Sequence, residues 1–171
     1  MTLYNLPKEM YAEIARFLGR DFPGNGFRLA AGTVQIRDVA NDCTYLNGIL
    51  HSFNDEPAII FDNGDRQWFK NGLRHRDNDL PAIIYVNGDQ YWCKHNLRHR
   101  DNDNPAVILA RGCRKWYIYG QLHRVNGPAI IFDNGTIGWY QNGQLHRDND
   151  QPAIIYADGS QYWYIRGKFI R

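Results

Sequence analysis

Histidine and aspartate recur together along this chain: Asp77 follows His75 at two residues, Asp101 follows His99, and Asp148 follows His146, each inside the string His-Arg-Asp-Asn-Asp. A carboxylate beside an imidazole is raw material for proton transfer or for holding a metal, so both chemistries must be weighed against the spacing. Histidines stand at 51, 75, 99, 123 and 146, a step of 24 residues with one step of 23. If each step adds two β-strands, equivalent imidazoles lie about 9 to 10 Å apart, whereas ligands of one ion lie within about 4 Å of each other. The row cannot chelate one ion, and His95 with His99 is the only close pair in sequence. No metal site is expected.

The Asp-Asn-Asp strings at 77–79, 101–103 and 148–150 share their first residues with calcium loops. They have no Gly at the sixth position and no Glu at the twelfth, so calcium is not expected either. Asn and Asp side chains also hydrogen-bond their own following backbone and build tight turns, and an adjacent Arg pairs readily with a carboxylate. His75, Arg76, His99, Arg100, His123, Arg124, His146 and Arg147 are therefore read as a hydrogen-bonded ladder tying each loop to the next, and as the candidate binding surface.

No serine nucleophile elbow, P-loop, dinucleotide fingerprint or HExxH string is present, and the repeated carboxylates are too alike to be tuned apart into acid and base. The chain is expected to have no catalytic residue and no cofactor, and not to be an enzyme. Arg76, Arg100, Arg124 and Arg147 form a basic row near Tyr and Trp, as a nucleic-acid groove requires. Asp77, Asp79, Asp101, Asp103, Asp148 and Asp150 interleave with it and offset attraction to phosphate. Nucleic-acid binding, or a structural place in a virion, is kept as a lesser alternative.

What must position these residues is a repeat. Trp68, Trp92, Trp116, Trp139 and Trp163 are all the tryptophans of the chain and occupy one column; Pro57, Pro81, Pro105, Pro128 and Pro152 occupy another. The single short step falls between His123 and Pro128, where "HRVNGPA" has lost one residue, which marks a surface loop. Within a unit such as "PAIIYVNGDQYWC", an apolar run, Asn-Gly and an aromatic run spell a hairpin, with Gly supplying the positive φ of a type I′ turn. A second punctuation at Asn71-Gly72, His95-Asn96, Tyr119-Gly120, Asn142-Gly143 and Arg166-Gly167 leads into a return loop.

Alternation places Ile83 and Tyr85 on one face and Ala82 and Ile84 on the other. An isolated hairpin is marginal in water, so units of this kind must stack to share a core. The Trp column is read as a structural stripe within that core. The expected fold is an all-β repeat of stacked hairpins, about five and a half units, at 49–72, 73–96, 97–120, 121–143 and 144–167, with a degenerate unit at 32–48.

This step, the paired turns and the signature "HRDNDxPAIIYxNG…W" resemble MORN repeats, in the variant found in large DNA viruses and some bacteria. The resemblance covers about four fifths of the chain and implies an elongated, twisted antiparallel β-hairpin meander that serves as a scaffold or adaptor, sometimes as a dimer. Ahead of it, "LPKEMYAEIARFLG" suits one amphipathic helix, with Pro7 at its start and Met10, Ile14, Phe17 and Leu18 as its contact face. That segment resembles the first helix of an F-box, which implies a substrate receptor for ubiquitin ligation. The other reading is a helical cap over the first repeat. The chain is thus divided into a cap at 1–25 and a repeat domain at 26–171.

The 171 residues suit a single body, and a formal charge of +2 gives no global field for nucleic acid or an anionic membrane. Three cysteines form no CxxC pair and cannot close a complete set of disulfides, which fits a reducing, intracellular setting, in a host cell if the chain is viral. No spanning segment is apparent. The expectation is a protein-interaction scaffold with protein partners, and with a second copy as one candidate partner through the helix stripe or the strand edge near Tyr162–Arg171.

Overall fold

A computed structural model of the chain describes residues 33–37, 41–46 and 48–171. The expected helix, with Met10, Ile14, Phe17 and Leu18, lies outside the described residues. The chain divides into two compact units, Met1–Leu73 and Arg74–Arg171.

In the first unit, β1 (Thr33–Arg37) pairs antiparallel with β2 (Asn41–Leu46), which pairs with both β3 (Ile49–Leu50) and β4 (Ile59–Phe61). β4 turns into β5 (Arg66–Gln67), its hairpin partner. β6 (Phe69–Lys70) and β7 (Leu73–Arg74) follow.

The second unit is a meander of two-residue strands. One sheet runs β8 (Ile83–Ile84), β9 (Gln90–Tyr91), β12 (Val107–Ile108), β13 (Arg114–Lys115), β16 (Ile130–Ile131), β17 (Ile137–Gly138), β20 (Ile154–Ile155) and β21 (Gln161–Tyr162). Every neighbouring pair is antiparallel, and each 24-residue unit contributes two neighbours. All-β stacking of hairpins, read from the repeat, is the fold.

The aromatic strand is not continuous, as the sequence suggested, and the return segment is not a plain loop. The chain leaves the sheet at each Trp and forms a second, separate hairpin: β10 (Cys93–Lys94) with β11 (Leu97–Arg98), β14 (Tyr117–Ile118) with β15 (Gln121–Leu122), β18 (Tyr140–Gln141) with β19 (Gln144–Leu145), and β22 (Tyr164–Ile165) with β23 (Lys168–Phe169). The bend is stabilised by the Trp backbone itself. Trp92 N–H donates to Ala106 C=O at 2.8 Å, and its carbonyl accepts from His99 N–H at 3.1 Å; Trp116 and Trp139 do the same with Ala129 and His123, and with Ala153 and His146.

Turn types are also the reverse of the sequence expectation. At Val86-Asn87-Gly88 only Gly88 has a positive φ, and Gly88 N–H donates to Tyr85 C=O, which is a type I turn with a glycine bulge. Asn87 instead uses its side chain, whose Oδ1 accepts Asp89 N–H at 3.0 Å. The paired positive φ values of a type I′ turn occur at the second punctuation, as at Tyr119 (45°) and Gly120 (83°).

Close approach of adjacent units explains the Pro-Ala motif. Ala82, Ala106, Ala129 and Ala153 are each 0% exposed, and the carbonyls of Ala106, Ala129 and Ala153 each accept a Trp N–H from the preceding unit. Ile83, Val107 and Ile130 are buried beside them, so small and branched side chains alternate through the core.

Candidate functional site

The His-Arg-Asp-Asn-Asp strings form the loops that enter each unit's first strand. In the loop at 101–104, Asn102 and Asp103 both take positive φ (59° and 54°) and Asn104 N–H donates to Asp101 C=O; Asn78 and Asp79 do the same for the loop at 77–80. Asn and Asp tolerate this left-handed pair better than other non-glycine residues, which is why the string ends as it does.

His75, His99 and His146 reach inward, and Arg100 and Arg124 reach backward. His99 is buried; its Nδ1 accepts Tyr119 N–H at 3.3 Å, so the proton sits on Nε2, which donates to Asp101 Oδ1 at 2.9 Å. The ring stacks on Tyr119 with centroids 4.3 Å apart. His146 repeats the arrangement between Arg166 N–H and Asp148. His75 pairs with Asp77 at 2.9 Å and lies against His95, but its buried Nδ1 has no hydrogen-bond partner. In His99 and His146 both ring nitrogens are engaged, Nδ1 as acceptor and Nε2 as donor, so neither is free to face a substrate.

Arg100 donates from Nε and Nη2 to the two carboxylate oxygens of Asp79, one unit upstream, at 2.7 and 2.8 Å. Its Nη1 donates to Pro105 C=O at 3.3 Å, and its plane covers the Trp92 ring at 3.8 Å. Arg124 repeats this with Asp103, Pro128 and Trp116, and Arg171 pairs with Asp150 over Trp163. The Arg100 guanidinium beside Asp79 holds its carboxyl below the usual carboxylate range, which is the expected mark of a forked, charge-assisted pair.

The same Asp residue also receives the indole. Trp92 Nε1 donates to Asp79 C=O, Trp116 to Asp103 C=O and Trp163 to Asp150 C=O, at 2.8 to 3.1 Å, and Trp68 to Asp55 C=O in the first unit. One aspartate thus ties a Trp through its backbone and an Arg through its side chain. Trp68, Trp92 and Trp116 are buried, while Trp139 and Trp163 are half-buried. Neither the double role nor the Arg–Trp stacking could be read from the column of tryptophans alone.

No protein-family model matches the chain, and no curated protein matches it. The site must be read from its own geometry.

The unit at 121–143 breaks the pattern. Its loop carries Val125 where three other loops carry Asp77, Asp101 and Asp148, and Asn126 stands 21 residues before Arg147, where Asp79 stands before Arg100. His123 keeps the backbone contact, accepting Asn142 N–H on Nδ1 at 3.2 Å, but has no carboxylate partner among the described residues. Gly127 belongs to the shortening: a Cβ there would sit 3.0 Å from Arg124 Nη1. Between this loop and the preceding one, a cleft of about 250 Å³ is lined by Asp103, Trp116, Arg124 and Val125.

Among the described residues no group of three or more His, Cys, Asp or Glu could hold a metal, and no helix is long and apolar enough to cross a membrane. Cys93 and Cys113 are buried free thiols, and burial pushes both pKa values up, so they stay protonated and are poor nucleophiles.

Proposed function

We propose that the chain is a MORN-like, non-enzymatic interaction scaffold for protein partners. The observation that carries this reading is the saturation of its most chemical residues by one another. His99, His146, Arg100 and Arg124 spend their hydrogen bonds on the next loop or the next unit, as the elements of a stacked support do, and a reacting centre needs such groups free. The same locked guanidinia argue against a phosphate-tracking groove, because each already faces a carboxylate.

The second hairpins supply surface for a partner. Leu97, Ile118, Tyr119 and Ile165 are exposed at or beside their turns, and Tyr side chains are favoured anchors in protein interfaces. Proximity labelling of the full chain in its native cell, followed by reciprocal pull-down, tests the reading. A reproducible protein partner that is lost on Ile118→Ala with Tyr119→Ala is the expected result. Turnover of a small molecule by the purified chain, abolished by His99→Ala, would overturn it.

A further inference from the structure

Arg147 is held in the pose of its counterparts but lacks their ligand. Its Nη1 donates to Pro152 C=O at 3.2 Å and its plane covers Trp139 at 3.6 Å, against 3.3 and 3.8 Å for Arg100. Among the described residues no carboxylate lies within ion-pair distance of it, since Asp148 pairs with His146 and Asp150 with Arg171. Trp139 likewise lacks the indole bond that Trp92, Trp116 and Trp163 make. Both losses have one origin in the shortened loop: neutral Asn126 stands where an aspartate belongs, and without the left-handed pair of the other loops, such as Asn102 and Asp103, its backbone brings no carbonyl to the Trp139 indole. What is left is the Nε–Nη2 edge of the guanidinium and an indole N–H, with no acceptor for either among the described residues.

We propose that this notch binds an aspartyl residue of a protein partner, whose carboxylate takes Arg147 and whose backbone carbonyl takes the Trp139 indole. The inference rests on the scaffold reading and names the chemistry of the partner. Its template is inside the molecule, where Asp79 and Asp103 fill the equivalent position through both groups. A planar carboxylate matches the guanidinium fork in two parallel hydrogen bonds. A dianionic phosphate is disfavoured by the exposed carboxylates of Asp148 and Asp150 close in sequence. Val125, 70% exposed, stands in place of an acid in the same shortened loop and removes a further negative charge from it. Burial lowers the Arg147 pKa, the direction for a cation with no anion beside it, and an arriving carboxylate would reverse that.

The test is a titration of the ¹⁵N-labelled full chain with acetyl-aspartate N-methylamide, observing the Trp139 indole N–H and the Arg147 Nε–H by NMR. Saturable shifts at both are expected, with acetyl-asparagine N-methylamide about tenfold weaker or silent. Arg147→Gln should abolish them, and Arg147→Lys should weaken binding because it keeps the charge and loses the fork. Asn126→Asp, which leaves the buried residues untouched, should fill the notch from within and block the probe. Inorganic phosphate binding as tightly as the aspartyl probe, unchanged binding in Arg147→Gln, or no shift at Trp139 would each overturn the proposal. A native partner captured equally by the wild-type chain and by Arg147→Gln would remove this site while leaving the scaffold reading intact.

Discussion

The loops at 99–104 and 123–127 enter adjacent units of one sheet and differ by a single residue in length, yet only the first closes its ladder. In the longer loop Asp101 orients His99, and Asp103 joins Trp116 to Arg124. In the shorter one Val125 and Asn126 replace the acids, His123 keeps only its backbone contact, and Trp139 and Arg147 lose their shared partner. The sheet continues undisturbed through both, with Lys115 opposite Ile130 and Ile130 opposite Gly138. Strand pairing and the loop ladder are therefore separable layers: the first tolerates the deletion and the second does not.

The largest separation between the two units should come from their tryptophans. Trp116→Ala removes a buried ring, its indole bond and the plane under Arg124, and should lower unfolding free energy by about 3 to 5 kcal/mol in urea denaturation. Trp139 is half-buried and makes no such indole bond, so Trp139→Ala should lose roughly half as much. Equal losses would mean that the indole bond and the closed ladder contribute little.

A smaller difference is expected at the loop acids. Asp103→Ala unpairs Arg124, removes a carboxylate and places Ala at a φ of 54°, a loss of about 1 to 2 kcal/mol after allowance for solvent screening of a half-exposed pair. Asn126→Ala touches none of these and should fall within about 0.5 kcal/mol of wild type by the same measurement.

Much of the fold was legible because its signals are local and repeated. Pro-Ala, an apolar run, a Gly turn and Trp at fixed steps leave little besides stacked hairpins, and the missing residue after His123 could be placed to within a few positions. The break at Trp could not be read, because "QYWCK" is uniformly good strand sequence and the bend comes from hydrogen bonds to Ala106 and His99 in the next unit. Turn type was misread for a related reason: Asn-Gly suits type I′, but here the Asn side chain caps Asp89 N–H and stays out of the left-handed region. The ladder residues stood out as columns. The 21-residue reach from Arg100 back to Asp79 did not, since it depends on how far one loop lies from the next in space.

The smallest effect, and the most specific to a closed rung, lies in acid. Arg100 holds the folded-state pKa of Asp79 below its unfolded value of about 4. A depressed carboxyl pKa contributes stability that is present in full above the unfolded value and is lost as pH falls through the folded one. Wild-type stability should therefore decline below about pH 4, and Arg100→Gln should flatten that acid limb while lowering the neutral plateau. Among the described residues Arg147 has no carboxylate to depress, so Arg147→Gln should leave the acid limb unchanged and the plateau level or slightly raised, because a partly desolvated cation without a counter-ion is removed. Chemical denaturation of the three proteins from pH 7 down to pH 3 separates the cases. Matching acid limbs in the two variants would show that Arg147 already has an acidic partner in the folded chain, and the distinction between closed and open rungs would collapse.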